Sequence, residues 1–389
     1  MIIKPMIRNN ICMNAHPEGA KALVQEQITY VRQQPSIDDG PKRVLVIGGS
    51  TGYGLATRIA ATYGAGAGTI NVAYESPAKG SRTGTIGWYN TQAFEEAARA
   101  DGHVADSLFG DAFSHEIKEK CVSLIKERFG SVDLVVYSLA SGVRIDPDTG
   151  ERYTSVLKPI GEPYEAKSID AKEGQIKDVR VEPATEEEIE RTVKVMGGED
   201  WRLWIDALMS AGVLAEGALT VAYSYIGPDL TRPLYRDGTI GKAKEHLEAT
   251  AAELSEKLDG IGGDAYVSVN KAIVTRASAV IPVVSLYLSV LYRVMKQKGL
   301  HEDAVQQMYR LLGERLYGGS NVATDENGRI RVDDWEMRQD VQSEVRKAWE
   351  HVSDDNVEDV ADVEGMRRDF LQIHGFGFDQ VDYEKDVEP

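Results

Sequence analysis

The sequence predicts an α/β fold: a doubly wound parallel sheet flanked by helices, with an inserted flap and extra helical decoration. Three observations predict it. Short apolar, β-branched runs alternate with helix-length amphipathic runs over residues 43–138, the signature of parallel strands joined by crossover helices. A glycine-rich turn separates the first strand from the helix after it. A polar stretch, 141–185, interrupts the alternation, which then resumes. With 389 residues and 42 % hydrophobic content, the chain can bury a sizeable core as one enlarged domain, 1–389.

Glu18–Gln33 has helical spacing and leads into the loop Gln34–Pro41. Arg43-Val-Leu-Val-Ile-Gly48 is a buried strand, because parallel strands covered on both faces read as continuous apolar runs. Leu55–Tyr63 is helical, Thr69–Glu75 is the second strand, Phe94–Ala100 a helix and Val104–Phe109 the third strand. The amphipathic helix His115–Phe129 precedes the strand Asp133–Ser138. Residues 141–185, with the turn Asp146-Pro-Asp-Thr-Gly150, read as an inserted hairpin flap. Glu186–Ser210 returns to helix, broken at Gly197-Gly198. Ala218–Ser224 and Ala265–Asn270 are the fifth and sixth strands, around the helix Gly241–Leu258. Residues 279–389 are mostly helical: Leu286–Lys298, Glu302–Leu316 and Arg338–Val352. The apolar stretch Ala279–Leu291, which carries Pro282, is too short to span a bilayer and reads as a buried or substrate-facing helix.

The charge balance excludes whole classes of partner. A net charge of −18 argues against nucleic acid and against stable association with an anionic membrane. Cys12 and Cys121 are the only cysteines, neither a disulfide framework nor a zinc signature, and read as thiols in a reducing compartment. The opening residues MIIKPMIRNN carry charges and a proline where a signal peptide needs an apolar run. A cytoplasmic protein is expected. No His, Cys or carboxylate group has metal-ligand spacing, and no Gly-x-Ser-x-Gly elbow marks a serine hydrolase.

The turn Gly48-Gly-Ser-Thr-Gly-Tyr-Gly54 carries chemistry. Between a strand and a helix, glycines let the backbone approach a pyrophosphate while the helix N-terminus offers free N–H groups. Its Gly-x-x-x-Gly-x-Gly spacing is that of short-chain dehydrogenases and reductases, so the sheet reads as Rossmann-type. Glu75 ends the second strand, where a carboxylate accepts ribose hydroxyls and repels a 2′-phosphate, favouring NADH. Lys79 and Arg82 stand close by. Asp111 follows the third strand, where adenine would lie, and Ser138-Leu-Ala-Ser141 follows the fourth.

A hydride acceptor that gains charge on oxygen needs a proton donor, and a phenol of pKa about 10 stays protonated at neutral pH. Two tyrosine–lysine pairs compete. Tyr292-x3-Lys296 lies late in an apolar helix and reads as core packing. Tyr235-x8-Lys244 lies beyond the fifth strand, at the sheet edge where catalytic groups collect, although among 17 tyrosines such a spacing arises about once by chance. His246 reads as a surface-helix histidine.

These residues resemble a known family, the type V enoyl-acyl-carrier-protein reductases and the related trans-2-enoyl-CoA reductases. The resemblance runs end to end. It includes Ile2-Ile-Lys-Pro5, Ile11-Cys-Met-Asn-Ala-His-Pro17, Arg43 to Ala56, Gly87-Trp-Tyr-Asn90, Gly110-Asp-Ala-Phe-Ser114 and Tyr137-Ser-Leu-Ala-Ser141. It continues through Val195-Met-Gly-Gly-Glu-Asp-Trp201, Thr275 to Pro282 and Phe376-Gly-Phe-Asp379. That family uses a Tyr-x8-Lys pair, which implies Tyr235 as proton donor and Lys244 as a cofactor-binding residue. The resemblance also implies an NADH site of Gly48, Gly49, Ser50, Thr51, Gly52, Tyr53, Tyr74, Glu75, Asp111, Ala112, Leu139, Ala140, Ile273, Val274 and Thr275. Tyr225 would contact the substrate, and the helix from Val280 onward would wall an acyl pocket. The expected activity is NADH-dependent reduction of the trans-2 double bond of an enoyl-CoA or enoyl-acyl-carrier-protein by a monomer, in fatty acid synthesis. A basic patch of Lys242, Lys244 and Arg276 would offset the acidity of a carrier protein. The alternative on this fold is a carbonyl oxidoreductase acting on a 3-oxoacyl group or an alcohol. A dinucleotide sensor without catalysis is the non-enzymatic alternative.

Overall fold

The computed structural model describes residues 1–8, 11–169, 175–278, 281, 283–319 and 321–389. Its main sheet has seven strands, all parallel: β1 (Arg43–Ile47), β2 (Gly68–Ala73), β3 (Ala105–Phe109), β4 (Val132–Tyr137), β5 (Leu214–Ser224), β6 (Asp264–Val269) and β7 (Arg329–Arg331). The spatial order is 7-6-5-4-1-2-3. Strand order therefore reverses between β1 and β4, the switch point at which open α/β sheets bind ligands.

Alternation along β1 shows why both faces must be covered. Val44 and Val46 enter one core with α1 (Pro17–Arg32), α2 (Gly52–Ala65), α3 (Ile86–Ala100) and α9 (Ala304–Arg310), as well as Leu311, Leu312 and Leu316 just after α9. Leu45 and Ile47 enter the opposite core with α4 (His115–Arg128), α6 (Glu199–Ser210) and α7 (Thr239–Leu258). Removing a buried Leu or Ile side chain from either would cost about 2–5 kcal/mol. A third cluster caps the carboxyl edge, with α8 (Val284–Gln297) at its centre and α10 (Gln339–His351), α11 (Val357–Val360) and α12 (Val363–Gln372) around it.

The helical stretch Glu186–Ser210 breaks at the glycine pair as expected, into α5 (Glu186–Met196) and α6. The Gly198 N–H donates to His246 Nδ1 at 2.9 Å, so this exposed histidine closes the N-terminus of α6. Other elements differ from the expectation. The insertion is two hairpins, 143–145 with 152–154 and 164–169 with 176–181, and residues 170–174 lie outside the described ones. Arg144 anchors the first by donating to the Lys194 carbonyl and to Glu199. Tyr164 anchors the second through the Leu230 carbonyl, beside the Tyr235 segment. β5 starts at Leu214, four residues early, because its pairing with β4 shifts between Leu214 and Leu219, where Gly217 takes φ +71. Of the apolar stretch, Ala279, Val280 and Pro282 lie outside the described residues.

Candidate active site

The glycine turn has the shape of a pyrophosphate cradle. Gly48 and Gly52 adopt φ +91 and +52, open to glycine and strained for other residues. A Cβ on Gly54 would lie 2.1 Å from the Gly48 carbonyl oxygen, so this position admits glycine alone. The turn is buttressed by groups that motif reading does not single out. Gly49 N–H donates to Asn71 Oδ1 at 2.7 Å, and Asn90 Nδ2 donates to the Ser50 carbonyl at 3.2 Å. Arg58, buried behind it, is held by Glu95, Ser107 and the Asp106 carbonyl, and burial pulls its pKa down to about 10.

The structure brings most of the expected cofactor residues to this turn. Ser50 Oγ donates to Glu75 Oε1 at 2.8 Å. Glu75 Oε2 is buried and has no partner among the described residues, an acceptor left free at the strand end. Gly87 packs so closely on this carboxylate that a Cβ there would lie 2.1 Å from Oε1. Leu139 lies beside Gly48, and Thr275 beside Gly52. Asp111 accepts the Phe113 N–H, while the Ala112 carbonyl takes Lys118 Nζ and the Trp204 indole N–H. Lys118 also meets Asp200 at 2.8 Å, both buried, and Tyr137 donates to the other oxygen of Asp200. Two expected residues contribute differently. Tyr74 is 81 % exposed, and the Tyr53 hydroxyl donates inward to the Lys271 carbonyl, so only the backbone of Tyr53 belongs to the turn. The cradle, the free Glu75 oxygen and the backbone of the 273–275 loop fit a nicotinamide dinucleotide.

Beyond β5 lie Tyr235 and Lys244. Tyr235 is 6 % exposed, stands edge-on to Tyr225 with ring centroids 4.9 Å apart, and makes no side-chain hydrogen bond among the described residues. Burial, with the charge of Glu336 second, raises its pKa above the ordinary phenol range. Lys244, on the second turn of α7, donates to the Tyr223 carbonyl at 3.3 Å, and burial pushes its pKa down to about 8. The competing pair is scaffold: buried Tyr292 accepts the Val274 N–H at 3.2 Å, while Lys296 pairs with Asp362. The three residues expected to form a basic patch are dispersed. Lys242 pairs with Glu245, Lys244 is half-buried with its ammonium on the Tyr223 carbonyl, and Arg276 leans on Glu75 at 3.5 Å. Lys79 and Arg82 bridge each other through their backbones.

A doubly wound sheet with a dinucleotide cradle at its switch point defines a nicotinamide-dependent oxidoreductase. Residues 82–317 match a family described as the trans-2-enoyl-CoA reductase catalytic region, and residues 2–80 match the NAD(P)H binding domain of trans-2-enoyl-CoA reductase. The chain is 55 % identical over 390 residues to an enoyl-[acyl-carrier-protein] reductase [NADH] of Coxiella burnetii, covering 100 % of this chain and 96 % of that one. It is 52 % identical to a trans-2-enoyl-CoA reductase [NADH] of Ruminiclostridium cellulolyticum, covering 100 % and 98 %. The crystal structure of Treponema denticola trans-2-enoyl-CoA reductase in complex with NAD superposes with a TM-score of 0.96 at 51 % identity, covering 100 % and 98 %. That of the Clostridium acetobutulicum enzyme in complex with NADH gives 0.97 at 44 %, with the same coverage. The chain belongs to this family of NADH-dependent enoyl-acyl-carrier-protein and trans-2-enoyl-CoA reductases.

A third family description, enoyl reductase FAD binding domain, matches residues 324–387. The segment does not fit a flavin dinucleotide. Among its described residues no glycine turn joins a strand to a helix N-terminus, and its acidic side chains outnumber the basic ones, a poor seat for a pyrophosphate. It supplies β7 and the helices that pack on α8.

Proposed function

We infer that this chain reduces the trans-2 double bond of enoyl thioesters with NADH, using Tyr235 as the acid and Lys244 as the residue that holds the nicotinamide ribose. One observation carries the reading. The Tyr235 hydroxyl, free of protein partners among the described residues, stands beside Tyr225 just past β5, on the strand edge whose Tyr223 carbonyl takes Lys244. Bound in the cradle, the dinucleotide supplies hydride to C3 of the enoyl group. The thioester oxygen then gains negative charge, which the Tyr235 hydroxyl stabilises by hydrogen bonding before its proton passes on toward C2. The Lys244 ammonium, held out of bulk water, donates to ribose hydroxyls and eases the proton's departure from the phenol. Glu75 Oε2 accepts a hydroxyl of the adenosine ribose, which sets NADH above NADPH.

The paired strands 164–169 and 176–181 and α8 enclose the acyl chain, since Ile169, Leu286 and Leu288 share one apolar cluster with Tyr235. The enzyme acts as a monomer in the cytoplasm. This placement is supported by two free thiols and by the absence, among the described residues, of any helix long and apolar enough to cross a membrane. The test is NADH oxidation against crotonyl-CoA, dodecenoyl-CoA and an enoyl-acyl-carrier protein, with a 3-oxoacyl-CoA in parallel. Turnover of the ketone alone would replace this reading with carbonyl reduction.

A further inference from the structure

Glu336 lies between β7 and α10 and is fully buried, although the chemistry above asks for no carboxylate. Its Oε1 accepts the Tyr225 hydroxyl at 3.1 Å and the Tyr287 hydroxyl at 2.7 Å, and its Oε2 accepts the Ala272 N–H at 2.7 Å. One side chain thus ties the end of β5, helix α8 and the loop that carries Ile273, Val274 and Thr275. Burial pushes the carboxyl upward, Asp333 adds to that, and the Tyr287 and Ala272 hydrogen bonds with nearby Lys271 oppose it. With three donors on its two oxygens, the ionised form is the one the contacts fit.

We propose that Glu336 is a positioning residue for the reduction. It turns the Tyr225 proton away from the substrate and fixes the loop beginning at Ala272, which leaves Tyr235 as the phenolic donor at the reacting thioester. The proposal rests on the roles given to Tyr235 and Tyr225 above. A tyrosine has one hydroxyl proton. Committed to Glu336, the proton of Tyr225 cannot reach the thioester oxygen, and Tyr225 offers that region only an acceptor and a ring edge. Tyr235, 4.9 Å away between ring centroids, keeps its proton for the substrate. The nearby negative charge also opposes early ionisation of Tyr235. Segment 324–387 therefore contributes a carboxylate to the enoyl site, in place of the flavin its family description names.

Glu336→Gln tests this, because it keeps the shape while replacing one acceptor with a donor. The Ala272 N–H retains the amide oxygen, so the amide NH2 faces the two tyrosines and drives their protons outward. KM for crotonyl-CoA should rise about tenfold, the worth of one hydrogen bond to a charged group, while NADH affinity by fluorescence stays within about twofold. The decisive measurement is a double-mutant cycle. In a Tyr225→Phe background no hydroxyl remains to be misdirected, and Glu336→Gln should change KM by less than about threefold. Losses that simply multiply in the double variant overturn the proposal. If Glu336→Gln binds no NADH, Glu336→Asp, one methylene shorter with its charge intact, goes through the same cycle and is judged the same way. A wild-type enzyme inert toward crotonyl-CoA would instead overturn the reading of Tyr235.

Discussion

Arg276 Nη1 lies 3.5 Å from Glu75 Oε1, so the loop after β6 reaches across the cofactor cleft to the end of β2. The arginine is half exposed, and such a pair is worth at most about 1 kcal/mol, weak enough to re-form on another anion. Glu75→Ala removes the carboxylate and leaves this guanidinium free beside the adenosine ribose. Activity with NADPH should rise about tenfold or more, and adding Arg276→Ala should abolish the gain. Initial rates with both cofactors decide it, and no gain in Glu75→Ala would remove Glu75 from cofactor choice.

Tyr235→Phe deletes the proposed proton donor while keeping the ring that packs on Tyr225. Turnover should fall by about 10²–10⁴, with NADH binding intact by fluorescence. Near-normal turnover would mean that another group supplies the proton.

Lys244 titrates near 8 in the folded protein against an ordinary 10.5, because burial disfavours its charge. Between those values the unfolded chain holds a proton that the folded one has lost, so stability rises with pH across that window. Below 8 both states are charged and the cost of burial is present in full. Lys244→Met should therefore raise Tm at pH 7, with the difference closing as pH approaches 10. It should also remove a limb near pH 8 from the profile of kcat/KM, if the ammonium serves the reaction.

Lys118 and Asp200 are buried beneath the loop that carries Asp111 and Ala112. Removing one partner leaves a bare charge, so Lys118→Met should destabilise the fold by about 3–5 kcal/mol in urea unfolding. The pair of substitutions Lys118→Met and Asp200→Asn should cost less than the sum of the two.

Gly54→Ala would place a methyl group against the Gly48 carbonyl oxygen and open the cradle. NADH affinity should fall at least about tenfold while the circular dichroism spectrum is kept. A variant that binds NADH normally would show that the turn is not where the pyrophosphate sits.

The sheet was legible wherever burial on both faces made a strand continuously apolar. β1 and β4 lie within a residue or two of their expected bounds for that reason, and β2 does so although buried Thr69 and Asn71 interrupt its apolar run. β7 was not, because its three residues Arg329-Ile-Arg alternate charge with one apolar side chain and pair only at an edge. α3 starts at Ile86, well before the expected Phe94, since Gly87 and the aromatic Trp88-Tyr89 blur its helical period. In the candidate site, the glycine turn and Glu75 announce themselves by position after a strand. Asn71, Asn90 and Arg276 do not, because their roles arise from neighbours distant in sequence. Glu336 is the extreme case: a lone acid among 62 acidic residues acquires meaning only when folding buries it.

The Tyr225–Glu336 contact spans 111 positions of chain, whereas the phosphate turn closes among residues 43–138. Contacts of long sequence separation form late, after loop-closure entropy has been overcome. A refolding chain should therefore protect the amides of β1, β2 and β4 from hydrogen exchange before it regains turnover, since the 273–275 side of the NADH site and the Tyr225–Glu336 contact both wait on distant chain.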